Sequence, residues 1–379
     1  MATSAADLPA RRDGSTFAYI ALLIISAVDA AGYSIIAPVG PAIAMSAGVG
    51  PGTIGVLVAT FPLGVMAGFV LGAACVKRGR MSAVLVVSLA MIAAGSLGFV
   101  FGSTLSAYFI ARLVMGLGSG GVWIAVTFNT LARWPGQEYR CMSRIFAAYS
   151  VGGLIGPAFG ALGGIARPFA AFGLVVLGCV ALAGAIGRTS APSSYFGSDR
   201  SALLLPGFWL ASVGNLFAYV ALGIIEGVLP IHFGSHLSQA GIGIVYALMS
   251  IVVAGFAAFA ARFRPRGALL SAITLIVIGI AVAGSSSVAT AWVAALGIAG
   301  AGFGLAVTGS IGILLEGVPT ERIVTALVVW SQVGIVGYFL GPLVGGLVAE
   351  SVGFQALGIV PLLATVPVLL LAMRRHQLT

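Results

Sequence analysis

Between Arg266 and Glu316 the chain runs 49 residues, positions 267 to 315, without a charged side chain. About 20 apolar residues suffice to cross the hydrocarbon of a bilayer, and soluble core helices do not come in uncharged blocks of this length. Similar blocks recur along the 379 residues, of which 60% are hydrophobic and 7% charged. A soluble domain carries about 25% charged residues, so most of this surface cannot face water. The chain reads as an all-α polytopic membrane protein.

Its net charge of +9 sits in short clusters between the apolar blocks. That is the pattern of topology signals, and no nucleic-acid partner is expected. Reading the blocks between clusters gives twelve spans, near 17–38, 52–75, 82–101, 106–131, 145–166, 168–187, 204–230, 240–261, 268–286, 290–315, 323–349 and 353–373. Basic residues occupy alternate loops: Arg11 and Arg12; Lys77, Arg78 and Arg80; Arg133, Arg140 and Arg144; Arg188 and Arg200; Arg262, Arg264 and Arg266; Arg322; Arg374 and Arg375. Arg167 is the exception on the other side. The positive-inside bias then puts both termini in the cytoplasm and the chain in the cytoplasmic (inner) membrane. Arg11 and Arg12 ahead of an apolar stretch resemble a signal peptide, but cleavage near Ala27 or Ala30 would remove most of the first span. An uncleaved helix is expected.

Enzymatic readings find no support. Cys75, Cys141 and Cys179 have no metal-ligand or redox spacing, and no phosphate loop, nucleophile triad or metal cluster is visible. No cofactor is expected.

The chain repeats itself. "GLGSGGVWIAVT" (Gly116 to Thr127, span 4) aligns with "GIAGAGFGLAVT" (Gly297 to Thr308, span 10). "GPAFG" (Gly156 to Gly160, span 5) matches "GPLVG" (Gly341 to Gly345, span 11), and "KRGR" after span 2 has a counterpart in "RFRPRG" after span 8. Six spans thus recur as six more. The expected division is a tail at 1–16, a six-helix half at 17–187, a linker at 188–203, a second half at 204–373 and a tail at 374–379.

Two six-helix halves in parallel repeat resemble transporters of the major facilitator superfamily, whose substrate site lies between the halves. The family signature between spans 2 and 3 reads roughly G-x-L-A-D-R-x-G-R-K. Here "GAACVKRGRM" keeps Gly72, Gly79 and Arg80, Lys77 stands for the first arginine, and Val76 replaces the acidic residue. In the family that acidic group helps latch the halves on the cytoplasmic side, so the resemblance implies a weaker or different latch. The R-x-x-x-G signature appears as Arg112 and Gly116, and "GGLIGPAFGALGG" is a looser form of the span 5 motif of proton-driven exporters. The resemblance implies a drug/proton antiporter of the twelve-span branch, working by alternating access. Its partners would be a small-molecule substrate, protons and the lipid bilayer, its energy source a proton gradient, and its state a monomer. Uptake or facilitated movement of a metabolite by the same fold is the alternative. A non-transporting receptor or scaffold is a reading of another class, usually with a larger soluble tail than "RRHQLT".

Of nine acidic residues, Asp29 and Glu226 fall inside apolar spans. A charged residue at mid-membrane costs about 3 kcal/mol on insertion scales and normally faces an aqueous path or a partner. Ser26, Asp29 and Tyr33 share one helical face of span 1, and Asn215, Tyr219 and Glu226 share one of span 7. Arg112, Gly116, Ser119 and Trp123 form a third stripe in span 4. Such stripes are the expected lining of a central cavity. Counting from Pro38 puts Asp29 roughly 13 Å below the outer end of span 1, and counting from Ser106 puts Arg112 roughly 9 Å below that of span 4. Those depths permit a pair, with Glu226 nearer the outer mouth.

Asp29, Arg112 and Glu226 are therefore the candidate proton-coupling residues. Asp29 either titrates in competition with Arg112 and substrate, or is a static counter-ion to an Arg112 that caps backbone carbonyls of span 1. Gln332 and Tyr338 are further cavity candidates. Gly156, Pro157, Gly341 and Pro342 are expected to permit close helix approach and bending. His232 and His236 are expected in a solvated outer loop.

Overall fold

Glycine and proline set the helix boundaries in the computed structural model, which describes residues 13–134, 137–187, 200–319 and 322–374. The expectations on Arg11, Arg12, Arg188, Arg375 and most of the linker lie outside these residues. The described chain is all helix. In order come α1 (Asp13–Ser34), α2 (Ile36–Ala47), α3 (Pro51–Lys77), α4 (Met81–Phe101), α5 (Leu105–Arg133), α6 (Glu138–Gly160) and α7 (Ala166–Ala185). Then follow α8 (Pro206–Gly227), α9 (Leu229–Phe233), α10 (Gln239–Phe259), α11 (Pro265–Ser285), α12 (Ala289–Gly317), α13 (Ile323–Ser351) and α14 (Ile359–Arg374). Among the described residues, eleven helical stretches are long and apolar enough to cross a membrane. The stretch α6 falls short of that measure, because Glu138, Arg140 and Arg144 open it and glycines dilute its apolar content.

Three boundaries differ from the sequence reading. The first span does not end at Pro38 but runs from Thr16 to Ala47, broken only at Ile35. Proline cannot donate to the carbonyl four residues back, here Ser34, so the helix breaks there and resumes with Pro38 in its first turn. Asp29 therefore lies farther below the outer end of the span than the roughly 13 Å counted from Pro38. Likewise α8 breaks at Val228 ahead of Pro230 and continues through α9. The fifth span starts at Glu138, so Arg140 and Arg144 are in a helix and not a loop, and it ends at Gly160. Gly163 and Gly164, at φ 86° and 68°, make the turn into α7 that the sequence reading ran through as helix.

Packing partners recur along the chain. Helix α5 packs on α3 and α4 as α12 packs on α10 and α11, and α1 packs on α6 as α8 packs on α13. The last two pairs share a mechanism. A Cβ added to Gly156 would lie 2.5 Å from the Ala31 carbonyl oxygen, and one at Gly337 2.5 Å from that of Leu216. Backbones approach this closely only where side chains are absent.

Contacts between the α1–α7 and α8–α14 sets gather at the pole remote from Asp13 and Arg374. There Gly55 of α3 faces the Pro342 carbonyl, and a Cβ on Gly243 of α10 would lie 2.9 Å from the Pro157 carbonyl. Gln239 Nε2 donates to the Gly160 and Gly164 carbonyls at 2.7 and 2.9 Å. At the same pole His232 is half-buried in α9 and not in a loop, while His236 beyond it is exposed. The His232 ring stacks on Phe354 at 4.7 Å, and its Nε2 lies 2.8 Å from the Ser286 carbonyl oxygen.

Candidate functional site

A cavity of about 90 Å3 lies between the two sets of helices. From α1 and α5 it receives Asp29, Tyr33, Ser119 and Trp123; from α8 and α13 it receives Asn215, Tyr219 and Tyr338. These seven were among the sequence candidates, and the structure brings them to one wall-to-wall space. Asp29 is 3% exposed, and its Oδ1 has no hydrogen-bond partner. The Ser119 hydroxyl stands against the carboxyl. Small neighbours on α1 let α6 close over it, since Gly152 packs directly on the Ala27 carbonyl.

Arg112 and Asp29 do not pair. Arg112 is fully buried, with Nη1 donating to the Gly32 carbonyl at 3.0 Å and Nη2 to that of Tyr33 at 2.9 Å. Its guanidinium lies 4.3 Å from the centre of the Phe61 ring. The two carbonyls precede the break at Ile35, and the two prongs of the guanidinium reach one each. The carboxylate that acts on Arg112 through space is Glu226, which Tyr338 links to the Tyr33 ring.

Glu226 is buried as well. It is 8% exposed, and Oε2 accepts from the Tyr338 hydroxyl at 3.0 Å. The Tyr338 ring in turn lies 4.0 Å from that of Tyr33. Glu226 and Arg112 are thus absent from the cavity lining, and the carboxylate is held by Tyr338, which does line it.

Two other candidates miss the cavity. Ser26 Oγ bonds back to the Leu22 carbonyl at 2.8 Å, the usual way a serine hides its hydroxyl in a helix. Gln332 is absent from the lining, and its Nε2 is buried without a partner. Conversely, sequence reasoning missed Phe61, Tyr149 and Trp330, which complete the aromatic wall. Trp123 meets Phe146 and Tyr149 edge-on at 5.2 and 5.7 Å. A usable signal existed in α13, where Ser331, Ile335 and Tyr338 recur at i, i+4 and i+7.

The remaining motif residues are spread over the framework. A Cβ on Gly72 would lie 2.6 Å from the Ile124 side chain and 3.3 Å from Gly121 Cα, so α3 and α5 nearly touch there. Gly116 packs on the Phe61 carbonyl in the same interface. Lys77 ends α3, Gly79 turns at φ 75°, and exposed Arg80 precedes α4. Val76 is 1% exposed, an apolar packing residue where the family has its acid. Pro157 and Pro342 lie inside α6 and α13, at the contacts with α10 and α3 described above.

The chain is similar in sequence or shape to several transporters. An uncharacterized MFS-type transporter of Mycobacterium tuberculosis (strain ATCC 25618 / H37Rv) is 27% identical over 170 residues, 44% of this chain. The match covers 29% of that relative's own length. Among solved structures, a bacterial homologue of the human lysosomal transporter Spinster, inward-facing and unoccupied, superposes with TM-score 0.75 at 13% identity, covering 96% of this chain and 98% of the other. The D-xylose–proton symporter (TM-score 0.73, 13% identity, coverage 93% and 97%) and the nucleoside transporter NupG (0.73, 13%, 94% and 98%) share the fold. The profile of the Major Facilitator Superfamily matches residues 22–263, well over half of the sequence. With a helical membrane fold of that type around one central cavity, the chain belongs to the major facilitator superfamily.

Proposed function

We propose that the protein is a secondary active transporter that exchanges protons for a small organic molecule, moving the molecule outward. The observation that carries this reading is the buried carboxylate of Asp29, with Oδ1 unpartnered, on the wall of a cavity between the two sets of helices. A carboxylate so placed is neutralised either by a proton or by a cationic ligand, and competition between the two couples their movements. Because both Nη atoms of Arg112 are engaged by carbonyls, this arginine does not hold Asp29 in one state. Outward movement is favoured by the "GPAFG" stretch of α6, similar to the span 5 motif of drug/proton antiporters.

In this reading α6 counts as a twelfth span, and α1–α7 and α8–α14 form two six-helix halves with both termini cytoplasmic. The closed pole then faces outward, and the conformation is inward-facing. The halves rock about the cavity, no cofactor takes part, and the monomer in the cytoplasmic membrane is the working unit. The test is a proton-flux screen in proteoliposomes with an internal pH dye, across a panel of organic cations and neutral compounds. Substrate added outside should drive proton release from the lumen for an antiporter and proton uptake for a symporter. Asp29→Asn should abolish the flux while sparing the protein's fold; coupled flux at the wild-type rate in that variant would overturn the proposal.

A further inference from the structure

The α8 and α13 side of the cavity holds two polar atoms that the fold leaves unused. Asn215 is 1% exposed and Trp330 3%, and both line the cavity. Asn215 Nδ2 donates to the Trp330 carbonyl at 3.0 Å. A carbonyl oxygen only accepts, so this bond fixes the orientation of the amide and leaves Oδ1 as an acceptor. That Oδ1 has no hydrogen-bond partner, and neither has Trp330 Nε1, which can only donate. Gly334 makes the arrangement possible, because a Cβ there would lie 2.5 Å from Asn215 Nδ2.

Buried polar atoms are nearly always paired, and an unpaired donor and an unpaired acceptor from two residues of one cavity wall are completed by a ligand that offers both complements. Across the cavity Asp29 Oδ1 is unpartnered as well. Aromatic rings of Tyr33, Trp123, Tyr149 and Tyr219 line the space with them. The two sides therefore ask for different chemistry: a cation toward α1, and a neutral donor–acceptor edge toward α8 and α13.

We propose that Asn215 and Trp330 determine substrate specificity, binding a carboxamide-like edge of a small aromatic amine whose ammonium group faces Asp29. Trp330 Nε1 donates to the carbonyl of that edge, and Asn215 Oδ1 accepts from its N–H. The proposal rests on the cavity being the transport site and on its widening, as the halves rock, from about 90 Å3 to admit an aromatic amine. An amine with only hydrocarbon at its far end satisfies Asp29 but leaves both wall atoms unpaired in the complex, which is the situation that gives polar sites their discrimination.

The test uses two probes, 4-(2-aminoethyl)benzamide and 2-(4-isopropylphenyl)ethylamine, in which isopropyl replaces the carboxamide. Equilibrium binding to the purified full chain in nanodiscs, with no gradient, should favour the carboxamide by about tenfold or more. Trp330→Phe and Asn215→Leu should each bring that ratio to within about twofold by weakening the carboxamide alone, whereas Asp29→Asn weakens both probes. Equal affinities in the wild type, no binding of the carboxamide, or variants that weaken both probes alike would overturn the assignment. The outcome separates from that of the transport reading. Proton flux with other compounds but no carboxamide preference defeats only this inference; carboxamide preference without any coupled flux defeats only the export proposal.

Discussion

Tyr338 donates its hydroxyl to Glu226 at 3.0 Å while its ring lies 4.0 Å from that of Tyr33. One side chain thereby ties α13 and α8 to α1, and Arg112 holds α1 from behind through the Tyr33 carbonyl. The roof of the cavity is thus built from both sets of helices, and anything that separates them at the closed pole must break this contact.

Tyr338→Phe keeps the ring contact and removes the donor. A hydrogen bond to a buried charged group is worth about 1.5–3 kcal/mol, so the variant should be less stable by that order. Thermal unfolding of the purified protein measures it. An unchanged midpoint would mean that Glu226 has another donor.

Asp29→Asn separates a free carboxylate from an ion-paired one. Breaking a buried pair strands its partner and costs about 3–5 kcal/mol. Since Arg112 bonds to the carbonyls of Gly32 and Tyr33, the substitution strands nothing, and stability should be equal to or above that of the wild type. Arg112→Lys, by contrast, loses a two-pronged contact that an ammonium cannot reproduce and should destabilise. A large loss of stability in Asp29→Asn would show that the carboxylate is a structural counter-ion.

Two glycines of α6 should respond in opposite ways. Alanine at Gly156 would put Cβ 2.5 Å from the Ala31 carbonyl, whereas at Gly153 nothing lies within 4 Å. Overpacking typically costs about 1–3 kcal/mol, so Gly156→Ala should lower the unfolding midpoint and the yield of monodisperse protein. Gly153→Ala should leave both unchanged or raise them, through its higher helix propensity.

The closed pole carries a removable charge. The Glu350 carboxylate of α13 lies against Gly50 and Gly52, at the N-terminus of α3, where the helix dipole favours an anion. Glu350→Gln should cost the closed pole about 0.3–1 kcal/mol, which shifts the open-to-closed ratio roughly two- to fivefold toward opening. Spin labels at the exposed positions Met45 and Ser235 read the change as a larger long-distance fraction. An identical distance distribution would show that Glu350 does not help to latch this end.

Much of the site is local in sequence and was legible there. Helical periodicity puts Asp29 with Tyr33, Ser119 with Trp123, and Asn215 with Tyr219 on single faces, and those faces meet at the cavity. Phe61, Tyr149 and Trp330 were not legible, because an aromatic ring in an apolar helix has the same local pattern whether it packs on lipid, helix or cavity. The reach of the first span past Pro38 was misread for a related reason. Proline disrupts a helix interior but is tolerated in a first turn, and which of these applies depends on where the chain breaks.

The amino-acid sequence alone determined that the chain is a bundle of membrane helices with an internal repeat, because apolar run length, charge spacing and glycine pattern are properties of the chain itself. Tertiary structure decided what each buried charge touches. Arg112 bonds to carbonyls of Gly32 and Tyr33, groups that every residue carries and no sequence pattern can mark. Glu226 meets Tyr338 from 112 residues away, and Asp29 keeps an unpartnered Oδ1 at the cavity while Arg112 is engaged elsewhere. Partner choice between distant helices is a matter of three-dimensional geometry, and it is that choice which turns Asp29 from an apparent counter-ion into a free acceptor.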